Sequence, residues 1–266
     1  MLELLLILVI AYLLAIRCRS GHPGMQDLKG WAYAHRGLHG NGVPENSMTA
    51  FKAALDGGYG IELDIHLLKD GNLAVIHDSL LNRTTGAAGH IEDLTTEELK
   101  NYRLEGTEET IPEFMDVLTL FNGKAPLIIE LKPERGNQAA LAEAACKMLE
   151  GYKGAYCIES FDPRCITWLK KNRPDVIRGQ LTENFFKHRN DLPDYLRFIL
   201  THCLYNIASV PDFIAYNFED RNDSISNKLC QKLWKAQGVS WTIRTKEDYD
   251  TAVAEGLLPI FEYFNP

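Results

Sequence analysis

An α/β fold with parallel strands closed into a barrel is predicted by three features of the sequence. Short apolar runs alternate with helical patterns along most of the chain, the rhythm of βα units around a parallel sheet. The length, 266 residues, fits one barrel domain of about 250 residues. Groups able to bind metal or move protons stand on consecutive runs: His35 ends the first, Glu62 and Asp64 lie in the second, and His77 ends the third. Sheets of this kind bind ligands at the carboxyl ends of their strands.

The chain opens on an apolar leader, Met1 to Ile16, broken by Glu3 and Tyr12. From Met1 to Cys18 a helix would be about 27 Å long, against a bilayer hydrocarbon core of about 30 Å. No Lys or Arg precedes the run, whereas Arg17, Arg19 and Lys29 follow it. A secretory signal has the opposite charge order. The reading is an N-terminal hydrophobic helix, residues 1–19, that anchors the protein in a membrane with the body on the cytoplasmic side. Residues 20–30, with Gly21, Pro23, Gly24 and Gly30, read as a linker. The barrel domain is expected over 31–266.

Within it the candidate strands are 31–36, 60–66, 73–77, 126–132, 155–161, 176–181, 213–218, 239–243 and 258–262. These are nine runs for the eight places of a closed barrel, so one of them is expected to be a loop, an edge strand or not a strand at all. Asn46 or Ser47 would cap a helix running to Asp56 and closed by Gly57-Gly58. Residues 137–150 have strong helix formers and an apolar stripe, and 163–172 and 224–237 are similar. Residues 79–110 break the rhythm. They are polar and rich in turns, and Thr95 or Thr96 before acidic residues marks a short helix. This insertion follows His77-Asp78 and is placed to shape a pocket over the strand ends.

Composition narrows the function. Apolar residues make up 45% and charged residues 24%, as in a folded globular protein. The net charge of −8, without a basic stripe, argues against a nucleic-acid partner. It also means that a phosphate site would need local cations. The six cysteines are widely spaced and form no CxxC pair, so they read as buried free thiols.

Alternation along a strand puts Glu62 and Asp64 on one face, with Leu63 and Ile65 on the other. The motifs His35-Arg36-Gly37, Pro44-Glu45-Asn46, Glu62-Leu63-Asp64-Ile65, His77-Asp78, Arg83-Thr84-Thr85, Ile111-Pro112 and Ile129-Glu130-Leu131-Lys132 follow one another in order. Ser160-Phe161-Asp162 and Trp241-Thr242 follow as weaker signatures. The ordered set resembles the glycerophosphodiester phosphodiesterases. The resemblance implies a TIM (β/α)8 barrel with a small insertion after the third strand. It also implies metal-dependent hydrolysis of glycerophosphodiesters to glycerol 3-phosphate and an alcohol.

On this resemblance Glu62, Asp64 and Glu130 would hold one divalent metal, Mg²⁺ or Ca²⁺, hard ions that prefer oxygen ligands. His35 and His77 would be the general base and acid, since imidazole titrates near neutral pH. The family route implied has a substrate hydroxyl attack first, with water opening a cyclic phosphate. Arg36 would bind phosphate or pair with Glu45, and Lys132 would bind phosphate or pair with a carboxylate. Trp241 would pack on the substrate or form part of the rim, and Glu45 and Asn46 would support the loop after the first strand. His66 continues the face of Glu62 and Asp64 and is a rival ligand, read as lying beyond the site. The C-terminal run from Ile260 to Pro266 departs from the family's usual Thr-Asp ending, with Glu262 as its possible replacement.

The expected substrate is therefore a glycerophosphodiester. Lysophospholipids cleaved in a phospholipase D sense, and a non-catalytic phosphodiester-binding barrel, are the alternatives. The five retained catalytic-type residues argue against the binding barrel.

Overall fold

A computed structural model describes residues 1–189 and 191–266. All nine runs are strands: β1 (Tyr33–His35), β2 (Gly60–Leu67), β3 (Leu73–Val75), β4 (Leu127–Leu131), β5 (Tyr156–Ser160), β6 (Arg178–Thr182), β7 (Phe213–Asn217), β8 (Gln237–Ile243) and β9 (Leu258–Phe261). Eight of them close a parallel barrel, because β1 pairs with both β2 and β9. The ninth is β3, the third in the chain. It runs antiparallel to the upper half of β2, pairing Ile65 with Val75 and Leu67 with Leu73. The insertion does follow the third strand, but that strand is outside the barrel, so the insertion lies between the second and third barrel strands. Which run lies outside is not readable from the sequence, for a physical reason. A short apolar run buried on both faces looks the same whether it pairs parallel or antiparallel.

Helices α1 (Leu2–Ala15), α2 (Met48–Asp56), α3 (Asn82–Thr85), α4 (Phe114–Phe121), α5 (Gln138–Met148) and α6 (Pro163–Asn172) come from the first two-thirds of the chain. Helices α7 (Phe185–His188), α8 (Asp194–Thr201), α9 (Asn206–Ser209), α10 (Ile225–Lys232) and α11 (Lys246–Ala254) complete the set. Ser47 caps α2, its hydroxyl accepting from the Ala50 amide at 3.1 Å. Asp162 caps α6 and Ser224 caps α10 in the same way.

Two apolar cores follow from strand alternation. Leu63, Ile65, Ile129 and Leu131 point outward and pack under the helices with Phe51, Phe114 and Phe121. Ile128, Cys157, Phe213 and Val239 point inward and fill the lower barrel. Gly179 makes room there. A Cβ at Gly179 would stand 2.0 Å from the Phe213 ring, so a side chain at either position excludes one at the other.

The expected linker is not a free linker. Pro23–Leu28 form a 3₁₀ turn, Met25 and Leu28 are buried beneath the inward core, and Tyr33 Oη donates to the Leu28 carbonyl at 2.6 Å. These residues plug the amino-terminal end of the barrel. The N-terminal helix α1 has 14 residues, and among the described residues no helix is long and apolar enough to cross a membrane. All six cysteines are free and buried. Residues 79–110 carry a small core of their own, in which Leu81, Ile91, Leu99 and Leu104 pack on Leu68 and Ile76.

Candidate active site

The barrel register sets the chemistry at the carboxyl ends of its strands. Asp64 on β2 pairs with Glu130 on β4, and Glu130 pairs with Glu159 on β5. Glu62 pairs with His35 on β1. One inward-facing level therefore carries several carboxylates on neighbouring strands. Oxygen atoms of Glu62, Asp64 and Glu130 all lie within 4.8 Å of one another, and all three residues are buried.

Such crowding needs cations. Arg36 and Lys132 supply two from the protein. Lys132 Nζ donates to Glu130 Oε1 at 3.0 Å and stands 3.4 Å from Asp64 Oδ1. Arg36 Nε is 3.5 Å from Asp64 Oδ2, its Nη1 donates to Glu45 Oε1 at 3.0 Å, and its backbone amide donates to Glu62 Oε2 at 3.2 Å. Arg36 has a positive φ of 53°, which turns this amide toward the site. Gly37 follows at φ 80°, and a Cβ there would meet the Ala50 backbone and the Phe51 ring at 2.9 Å.

Two positive charges do not balance the acids. Burial and the neighbouring carboxylates Asp64 and Glu130 push Glu62 well above the usual carboxylate range. Burial, opposed by Lys132 and reinforced by Asp64, raises Glu130 to about 7. Burial would raise Asp64 too, but Lys132, His77 and Arg36 outweigh it and hold Asp64 well below its usual range. Asp64 Oδ1 is buried with no hydrogen-bond partner. An all-oxygen cluster with surplus negative charge and an orphaned carboxylate oxygen fits a hard divalent cation held by Glu62, Asp64 and Glu130.

The two histidines flank this cluster, each fixed by a carboxylate. His35 Nδ1 lies 2.7 Å from Glu262 Oε2, and His77 Nδ1 lies 2.6 Å from Asp78 Oδ1. Burial would raise Glu262, but the hydrogen bond from His35, with the His39 ring 3.6 Å away, holds it far below the usual range. The His77 hydrogen bond, then Arg83, does the same for Asp78. Ionised carboxylates only accept, so each imidazole donates from Nδ1 and leaves Nε2 as the basic nitrogen facing the site. Burial lowers His35 to about 4, and burial also lowers His77, so both imidazoles are neutral near pH 7.

Three residues belong to the site without a role assigned from the sequence, although Asp78 and Arg83 stand in its motifs. Glu159 is buried, its Oε2 has no partner, and burial together with Glu130 and Asp64 pushes it well above the carboxylate range. Its signal in the sequence was its place two residues after Cys157 on a strand. Only the register shows that it meets Glu130. Asp78 orients His77. Arg83 reaches from the insertion to Glu45, donating from Nη2 to Oε1 at 2.6 Å, and also pairs with Asp78.

His66 lines the cleft over the site but is held by other partners. Its Nδ1 is 2.6 Å from Glu92 Oε1 and its Nε2 faces the His77 carbonyl at 3.2 Å, so it fastens the insertion to β2. Asn46, in the loop after β1, donates from Nδ2 to Asp64 Oδ2 at 2.9 Å. Trp241 is fixed by donation from Nε1 to the Ala215 carbonyl at 3.1 Å and meets Phe161 edge-on at 5.4 Å. Phe161 lines the cleft over the site and Trp241 stands behind it. That cleft measures about 610 Å³ and runs from His77 and Lys132 past Leu80 to Asp162 and Arg189.

The glycerophosphoryl diester phosphodiesterase family model matches residues 35–261. The chain belongs to that family. A glycerophosphodiester phosphodiesterase of Bacillus altitudinis is 37% identical over 178 residues, covering 63% of this chain and 71% of that protein. Human glycerophosphodiester phosphodiesterase 1 is 28% identical over 245 residues, covering 82% of this chain and 72% of its own. Among solved structures, an Oleispira antarctica phosphodiesterase in complex with the product sn-glycerol-3-phosphate superposes with a TM-score of 0.73. It is 22% identical, covering 92% of this chain and 95% of its own, and at that identity it supports the fold. Family membership makes this phosphodiesterase-family chain a phosphoric diester hydrolase, and the His35, Glu62 and Glu130 motifs all fall inside the matched region.

Proposed function

We propose that the protein hydrolyses glycerophosphodiesters to glycerol 3-phosphate and an alcohol, with Glu62, Asp64 and Glu130 holding one Mg²⁺ or Ca²⁺. The observation that carries this reading is the pairing of two carboxylate-fixed histidines with one register-matched acidic cluster. A divalent ion bound there would neutralise a phosphoryl oxygen and lower the cost of bringing a nucleophile to an anionic diester.

The chain's own residues do the remaining work. Arg36 and Lys132 are the local cations that a phosphate needs in a protein of net charge −8. His35 Nε2 lies 3.9 Å from Glu62 Oε2 and His77 Nε2 lies 3.0 Å from Lys132 Nζ, so both atoms border the cluster. One removes the proton of the attacking hydroxyl, and the other, once protonated, gives its proton to the leaving alkoxide. Glu262 and Asp78 stabilise the imidazolium that forms in each case and keep the ring from turning. Phe161, backed by Trp241, offers an apolar wall for the carbon skeleton of the substrate.

The membrane anchor and the cytoplasmic placement of the barrel remain part of this proposal. They are supported by the apolar α1 and by Arg17, Arg19 and Lys29 after it. A topology reporter fused to the C-terminus tests the placement, and reporter activity on the far side of the membrane would refute it. The catalytic reading is tested by glycerol 3-phosphate release with chelator, then with Mg²⁺ or Ca²⁺ restored, beside His35→Ala and His77→Ala. The expected result is metal-restored release that each substitution abolishes. Release that persists in both variants would refute the two-histidine assignment.

A further inference from the structure

Helix α1 leaves the barrel on the side of the catalytic mouth. Its root is fixed at three heights. At the floor, Arg19 Nη2 donates to Asp212 Oδ2 at 2.6 Å and to the Val176 carbonyl at 3.1 Å, both just ahead of β7 and β6. Midway, the Ile16 carbonyl accepts from Cys230 Sγ at 3.3 Å. At the rim, Tyr12 Oη lies 2.7 Å from Ser226 Oγ in the first turn of α10, the helix that follows the carboxyl end of β7. The chain thus climbs the barrel wall from residue 19 to residue 12, and α1 carries residues 2–11 past the rim. Ten helical residues rise about 15 Å.

Among the described residues nothing covers this projection. No residue of α1 is buried, and every residue from Leu2 to Ile10 is exposed. Glu3, near the tip, is its sole charged residue. A helix made for a groove on a protein keeps a polar face toward water, whereas α1 is apolar on all sides. Its projecting length matches one leaflet, half of the ~30 Å hydrocarbon core.

The rim beside it is also apolar. Ile225 at the start of α10 is 70% exposed, and Phe186 on α7 and Leu80 over the cleft are exposed as well. Helix α8 ends at the same height. The Leu200 carbonyl accepts from Thr182 Oγ1 at the end of β6, and Thr201 Oγ1 accepts from the Phe185 amide. On α8, Tyr195 and Phe198 are exposed. A tyrosine favours the membrane–water interface, and an exposed phenylalanine beside it adds apolar surface.

We propose that α1 inserts into one leaflet of a lipid bilayer and that the rim of the barrel mouth rests at headgroup depth, so that the catalytic cleft opens toward the membrane. The consequence for substrate choice rests on the hydrolase reading above. The favoured diester would be one kept at that depth by an acyl chain, a lysophospholipid.

The full chain would be sedimented with phosphatidylcholine vesicles and followed by hydrogen–deuterium exchange. The expected result is co-sedimentation, with new protection at residues 183–202 and 220–228 and none at the floor segments 148–155 and 232–238. Leu6→Asp, at an exposed position, should weaken binding at least roughly tenfold by placing a charge in hydrocarbon. Ile225→Asp should slow turnover of a vesicle-borne lysophospholipid while leaving a soluble glycerophosphodiester unaffected. A chain that stays in the supernatant, protection at the floor and not the rim, or α1-mediated dimers that vesicles do not dissociate would each overturn the proposal. Turnover of the soluble diester in the same samples reports on the hydrolase reading independently.

Discussion

Lys132 Nζ stands 3.0 Å from His77 Nε2 and 3.0 Å from Glu130 Oε1, so one ammonium joins the acidic cluster to the His77 imidazole. Burial would lower this lysine, but the charges of Glu130 and Asp64 overcome it and raise it above its usual value. An ammonium can only donate. It therefore selects the His77 tautomer with a lone pair on Nε2, the same tautomer that Asp78 selects from the other side.

Lys132→Ala should therefore lower kcat/KM by about 10²–10³, as for loss of a preorganised donor in a water-poor site. Lys132 is one of the charges that depress His77, so its removal should also move the acid limb of the kcat/KM pH profile upward. Steady-state kinetics across pH checks both effects. An unshifted limb would separate Lys132 from His77.

Glu262→Gln should cost about 10–100-fold in activity, the usual effect of losing the partner that orients a functional imidazole. An amide can offer its N–H to His35 Nδ1 and favour the other tautomer. The loss should fall on kcat with KM little changed, and a spectrum of the histidine ring nitrogens should report the change of tautomer.

The Arg83 clamp predicts a pH dependence of stability. Asp78 and Glu45 are both held below their usual values, with Arg83 contributing to each. Groups depressed in the folded state stabilise it above their unfolded pKa near 4, and that contribution is lost as pH falls through the folded values. Arg83→Ala should therefore unfold more readily than the native protein at neutral pH, with a difference that shrinks as pH falls below about 4. Thermal melts from pH 7 to pH 3 measure this.

How far the sequence was legible depended on the kind of interaction. Alternation alone placed Glu62 and Asp64 on one face and Leu63 and Ile65 on the other, because side-chain direction is local to a strand. All nine strands and the helices around 138–148 and 163–172 were readable for the same reason. Pairing between strands is not local. Thus β3 could not be told from a barrel strand, and Glu159 could not be matched to Glu130. The role of Pro23–Leu28 as a floor plug was hidden too, since its Pro and Gly residues signal a turn regardless of what the turn packs beneath. His66 likewise shares its strand face with Glu62 and Asp64 by local alternation, but its partner Glu92 lies 26 positions away in the insertion and could not be read from the strand.

Packing inside the barrel gives a further prediction. Gly179→Ala drives a methyl into the Phe213 ring and should destabilise the fold by about 1–3 kcal/mol, the typical cost of overpacking. Adding Phe213→Leu should recover part of the loss. Denaturant midpoints of the single and double variants measure the coupling.

The most direct test of the central claim is product identity. The full chain, supplied with Mg²⁺ or Ca²⁺, would be given glycerophosphocholine and its products resolved. The account predicts glycerol 3-phosphate and free choline, because the acidic cluster and the two imidazole Nε2 atoms converge on the diester and choline leaves as the alcohol. Glycerol with phosphocholine, or no product from this or any other glycerophosphodiester, would contradict it.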